Sequence, residues 1–135
     1  MDDLEGAEAS LRGALDQELN FPEALILMAH ISRQKGLGKD AELYYERALS
    51  LDDSRHRVHA LRGYNLLDMS EVEGAEQSFR KSLKVKQGGA VPTSGLAWCS
   101  YLRGNSREAL TRYGELAEHL RDPADPLRVY AEAQA

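Results

Sequence analysis

The stretch Ala41-Glu42-Leu43-Tyr44-Tyr45-Glu46-Arg47-Ala48-Leu49 decides how this chain is read, because it returns in altered form at a fixed distance. It recurs 34 residues later as Ala75-Glu76-Gln77-Ser78-Phe79-Arg80-Lys81-Ser82-Leu83, and again from Ala109 to Ala117. An earlier copy runs from Ala7 to Leu15. In each copy the leading alanine is followed four positions on by a bulky residue: Leu11, Tyr45, Phe79 and Tyr113. Two further columns follow, Ala14, Ala48, Ser82, Leu116 and Leu15, Leu49, Leu83, Ala117, and complete one apolar stripe at helical spacing. Ala29, Gly63, Ala97 and Ala131 mark a second set of helices with the same period. A fixed repeat of this length, alternating two helices, predicts a solenoid.

The punctuation agrees. Gly36, Ser70 and Gly104 fall at one point of three successive repeats, where a helix must end in a left-handed cap. Ser70 with Glu73, and Asn105 with Glu108, read as capping pairs for the helices that follow. Pro22, Pro92 and Pro126 stand near the starts of the intervening helices, where a missing N–H costs little. The expected fold is all-α, with about eight helices near 3–18, 22–35, 39–51, 55–69, 71–86, 92–103, 106–120 and 124–134.

These columns resemble the tetratricopeptide repeat family, whose consensus places a small residue at position eight, alanine at twenty, an aromatic at twenty-four and alanine at twenty-seven. With Pro22 as position one, the single domain 1–135 divides into a half repeat 1–21, repeats 22–55, 56–89 and 90–123, and a half repeat or capping helix 124–135. Leu25, His59 and Thr93 occupy position four in place of the family's large aromatic. Asp53, Gln87 and Arg121 replace its proline at position thirty-two. The resemblance implies a right-handed superhelix of antiparallel hairpins. Because Met1 and Ala135 both fall inside repeats, a segment of a longer protein is expected. Leu4, Leu11 and Leu15 are then expected to meet further repeats of the parent protein, or a second copy.

Composition bounds the function. With 42% hydrophobic residues among 135, the chain can bury a continuous core. A net charge of −5, with one short basic stretch at Arg80, Lys81, Lys84 and Lys86, argues against nucleic acid as a partner. The acidic start and the short apolar run from Ala24 to Ala29 argue against a secretion signal and a membrane span. Cys99 is a lone cysteine and can form no intrachain disulfide, so a reducing cytoplasm is the expected location.

No chemical motif survives inspection. Gly36-Leu37-Gly38-Lys39-Asp40 has Arg33 and Asp40 where a phosphate-binding loop needs Gly and Ser/Thr, and it lies at a helix turn. His56 and His59 share a helix face but lack further ligands, so no metal is expected. Cys99 lies within a helix beside Trp98 and reads as a small core residue rather than a nucleophile. No cofactor, catalytic residue or enzyme activity is expected.

What the resemblance implies instead is a concave groove lined by the first helix of each repeat. Carried over, its exposed positions fall on Glu23, Arg57 and Val91; on His30, Tyr64 and Trp98; on Arg33, Leu67 and Tyr101; and on Gln34, Asp68 and Leu102. The candidate partner-binding residues are His30, Arg33, Arg57, Tyr64, Leu67, Trp98 and Tyr101. His30 and Tyr64 stand where the family's carboxylate clamp has asparagine, so an apolar or aromatic peptide, or a helix, fits better than an acidic chaperone tail. The expected function is a protein-binding scaffold or adaptor. The alternative is a structural stretch of a longer solenoid.

Overall fold

In a computed structural model, the described residues are 3–16 and 21–119, and they form seven α-helices and no strand. These are α1 (Asp3–Asp16), α2 (Pro22–Gln34), α3 (Gly38–Leu51), α4 (His56–Asp68), α5 (Val72–Val85), α6 (Ala90–Leu102) and α7 (Ser106–His119). The eighth expected helix, 124–134, lies outside the described residues, as do 17–20 at the end of the first. The expected starts and ends hold to within two residues. The largest shift is at α6, which begins at Ala90 rather than Pro92. Gly89 caps it, and Pro92 falls in the first turn, where backbone N–H groups have no intrahelical acceptor.

The helices pair as hairpins, α2 with α3, α4 with α5 and α6 with α7, and each hairpin stacks on the next through α3 with α4 and α5 with α6. This is the solenoid of antiparallel hairpins that the period predicts. The repeated columns form its core: Ala41, Tyr45 and Ala48 are fully buried with Leu25, Ala29 and Val58, and Ala75 and Phe79 are fully buried with Tyr64, Leu66, Leu96 and Cys99. Small residues make room for large ones. A Cβ on Gly63 of α4 would come within 2.6 Å of the Phe79 ring, and one on Gly95 of α6 within 2.3 Å, so the ring fills a slot between two glycines.

Polar bonds repeat with the same period. Asn65 Nδ2 donates to the Gly38 carbonyl at 2.9 Å, and Cys99 Sγ, 34 residues on, reaches the Val72 carbonyl at 3.9 Å. Ser82 stands in the column of Ala48 and turns its hydroxyl to the His56 carbonyl at 2.7 Å, which satisfies a group that burial would otherwise strand.

The three turns share one geometry. Gly36, Ser70 and Gly104 take φ of 77°, 61° and 82°. In each turn the left-handed residue donates its N–H three residues back, and its successor donates five residues back to Ser32, Leu66 or Ser100. This pair of hydrogen bonds closes a Schellman cap. Asn105 and Glu108 also form the expected capping pair, with the Glu108 N–H 3.3 Å from Asn105 Oδ1 and Asn105 Nδ2 2.8 Å from Glu108 Oε2. Ser70 and Glu73 do not. The residue preceding α5 is Glu71, with no side-chain cap, because Ser70 is already committed to the left-handed position that closes α4. A side chain held at positive φ costs roughly 1–2 kcal/mol. Ser70→Gly is therefore expected to stabilise the fold by about 0.5–1 kcal/mol, read as a higher urea midpoint at unchanged slope.

Candidate functional site

The residues that sequence reasoning selected lie on α2, α4 and α6, and their surroundings divide them into different roles. At the α2–α4 end the charges are paired. Arg33 Nε lies 2.6 Å from Asp68 Oδ2, which joins the end of α2 to the end of α4. At the opposite ends of the same helices Arg55 Nη2 meets Glu23 Oε1 at 2.8 Å, and Arg55 Nε stands 3.4 Å from Asp52. The Glu23 carboxyl is held below the usual carboxylate range, first by a hydrogen bond from its own backbone N–H and then by Arg55. The first of these pairs ties two repeats, and the others hold the residue that opens α4 to the start of α2 and the end of α3. Sequence columns alone missed them, although the signal was there: oppositely charged residues offset by about one period.

His30 on α2 and Arg57 on α4 are exposed. Beside Arg57, partial burial and then the charges of Lys86 and Arg57 hold the His56 imidazole toward its neutral form. Leu67 is half-buried against the core around Phe79. Tyr64 is only 7% exposed. Its ring meets Phe79 edge-on at 4.9 Å, and its hydroxyl donates to the Val91 carbonyl at 2.9 Å, fixing α4 to the start of α6. It underlies the surface rather than projecting from it.

Trp98 and Tyr101 are arranged otherwise. Their rings stack with centroids 5.4 Å apart and planes 30° apart, Trp98 half-buried and Tyr101 54% exposed. Leu102 extends the apolar surface, at 47% exposure. One helical turn separates the two rings, so stacking fixes both in a single rigid platform. A platform of this kind can bury large apolar area against a partner with little further loss of side-chain freedom.

Cys99 is buried, and burial followed by the nearby Glu76 carboxylate pushes its thiol up to about 11. A thiol so disposed stays protonated at neutral pH, the opposite of what a nucleophile needs. Among the described residues no group of three His, Cys, Asp or Glu side chains is placed to hold a metal, and no helix is long and apolar enough to cross a membrane.

Residues 22–55 match the tetratricopeptide repeat family. No curated protein matches the chain in sequence. Solved structures resemble it closely in shape. The type III secretion translocator chaperone SycD of Yersinia enterocolitica superposes with a TM-score of 0.77 at 18% identity, covering 90% of this chain and 93% of that one. A thermophilic TPR protein of Thermus thermophilus gives 0.77 at 19% identity, covering 96% and 72%. The TPR domain of Arabidopsis OM64 gives 0.71 at 14%, covering 84% and 92%. The chain has the fold of the tetratricopeptide repeat proteins, a fold that serves protein–protein interaction and scaffolding.

Proposed function

We propose that this tetratricopeptide solenoid, with units at 22–55, 56–89 and 90–123, is a cytoplasmic interaction module that holds an apolar segment of a partner protein, as peptide or helix, along the face of α2, α4 and α6. The Trp98–Tyr101 stack carries the proposal: a rigid aromatic pair, half-buried at Trp98 and exposed at Tyr101, stands on a scaffold whose other described aromatics, Phe21 apart, are buried or half-buried. In this reading Tyr64 and Leu67, which pack in the core around Phe79, back the same face, and His30, Arg33 and Arg57 serve as its charged margin. Charged groups at such a margin act mainly on association rate and orientation. That one neighbour of this fold serves as a translocator chaperone supports a polypeptide-holding role. No catalytic step is proposed.

The test is a paired measurement on a polypeptide captured from cell extract and then purified. Trp98→Ala and Tyr101→Ala are each expected to weaken its binding by roughly 1–3 kcal/mol while the melting temperature stays close to that of the parent protein. Tyr45→Ala, a core truncation, supplies the comparison. Loss of stability on the Tyr45 scale, with affinity unchanged once folding is accounted for, would remove the aromatic stack from the site.

A further inference from the structure

A pocket of about 340 Å³ opens where α5, α6 and α7 meet, and three arginines line it: Arg80, Arg103 and Arg112. Two carboxylates aim them. Glu76 Oε1 accepts from Arg80 at 2.9 Å, Glu76 Oε2 pairs with Arg103 Nη1 at 2.6 Å, and Glu108 Oε1 accepts from Arg112 at 2.9 Å. Three guanidiniums against two carboxylates leave one positive charge in surplus on a chain whose net charge is −5. Each guanidinium has five donors, so these bonds leave donor capacity to spare on residues that line the same pocket.

The repeat supplies an internal control. At the equivalent positions one period earlier stand Glu42, Glu46, Arg62 and Glu71, one arginine against three carboxylates, so the local charge is reversed. Leu66 takes up part of the equivalent space there. Leu66, buried at 4% exposure, lies with Cδ1 3.4 Å from where a Cβ on Gly74 would stand. At the later junction Ser100 takes the place of Leu66, and the volume is left open. Hairpin stacking therefore does not require the cluster of three arginines, since the neighbouring junction packs without it.

We infer that this arginine-lined pocket is a second binding site, for the acidic side chains of a protein segment. Guanidinium forks match carboxylates in geometry and hold them by charge-assisted hydrogen bonds. A small pocket in an otherwise acidic protein takes a short anionic segment, whereas a long polyanion would be repelled by the rest of the surface. Leu96, Ser100 and Arg103 follow one face of α6, while Trp98 and Tyr101 lie well around the helix from it, so this site and the aromatic platform are separate. Two faces of α6 would then engage two kinds of sequence, one apolar and one acidic.

The probe is fluorescein-labelled hexaglutamate, titrated into the full chain at low ionic strength and followed by anisotropy. Saturable binding is expected, and the double variant Arg80→Gln/Arg103→Gln should raise the dissociation constant at least about tenfold. Ser100→Leu refills the pocket while leaving every arginine in place, so it should weaken binding even if the double variant is poorly folded. Trp98→Ala should leave it unchanged. Absence of saturable binding, or binding indifferent to both pocket variants, would overturn the assignment. Tighter binding of a phosphorylated peptide of equal net charge would also overturn it, in favour of phosphate recognition.

Discussion

Replacing Phe79 with alanine is expected to cost the fold about 3–5 kcal/mol, the usual scale for truncating a fully buried large aromatic. The ring is wholly inaccessible, meets Tyr64 edge-on, and is clasped by α4 and α6 at Gly63 and Gly95. Its removal empties the junction between two hairpins, and helices held apart by their own stacking can close such a gap only in part. The same clasp makes a sharper statement about Gly95. Alanine is ordinarily better than glycine in a helix by about 1 kcal/mol. Here its Cβ would sit 2.3 Å from the Phe79 ring, which Gly63 blocks from the other side, so overpacking at roughly 1–3 kcal/mol outweighs that gain. Gly95→Ala should therefore destabilise the parent protein and stabilise the Phe79→Ala variant. Chemical denaturation of the four proteins in that cycle reads the change of sign directly. A Gly95→Ala effect that is the same in both backgrounds would mean that the slot is not what holds the ring.

Tyr45 is the other large effect, and it separates ring from hydroxyl. Tyr45 is fully buried in the core with Leu25, Ala29, Ala41, Ala48 and Val58, so Tyr45→Ala is expected to cost about 3–5 kcal/mol. Its hydroxyl has no hydrogen-bond partner among the described residues. Burial raises its pKa, so the phenol stays neutral and carries the full cost of desolvation with nothing in return. Tyr45→Phe keeps the ring and deletes that cost. Its expected outcome lies between no change and a gain of about 1 kcal/mol, measured as the denaturation midpoint. A loss comparable to the alanine variant would show the hydroxyl to be bonded after all.

Most of the fold was legible in the sequence, and the reason is physical. A period of 34 residues forces equivalent side chains into equivalent surroundings, so columns such as Ala41 and Ala75, or Tyr45 and Phe79, reveal the core without any knowledge of contacts. The left-handed caps were legible at Gly36 and Gly104 for the same reason, and at Ser70 by register alone. The error at Ser70 was one of competition: a serine can cap the next helix or close the previous one, and only the backbone reveals which.

The candidate site was less legible. Positions facing a groove are specified by how hairpins stack, which periodicity does not encode. Tyr64 and Trp98 occupy one column, yet Tyr64 is held in the core by Phe79 and the Val91 carbonyl while Trp98 is half-buried and stacks on the exposed Tyr101. The arginine pocket was hidden more completely. Its residues come from three helices, and its existence depends on a leucine-to-serine exchange that no single repeat advertises.

The bonds that join neighbouring hairpins, among them Arg33 to Asp68, Arg55 to Glu23, Asn65 to Gly38 and Cys99 to Val72, span 27 to 35 residues. Every such link closes a loop of about one repeat, so the loop-closure entropy of assembly is met in small, equal steps rather than in one large one. Order can begin at whichever hairpin forms first and spread in both directions, as in a one-dimensional lattice with nearest-neighbour coupling. A tug on one end, or a partner's grip on one hairpin, is therefore felt most strongly by the adjoining unit and fades with each unit beyond it.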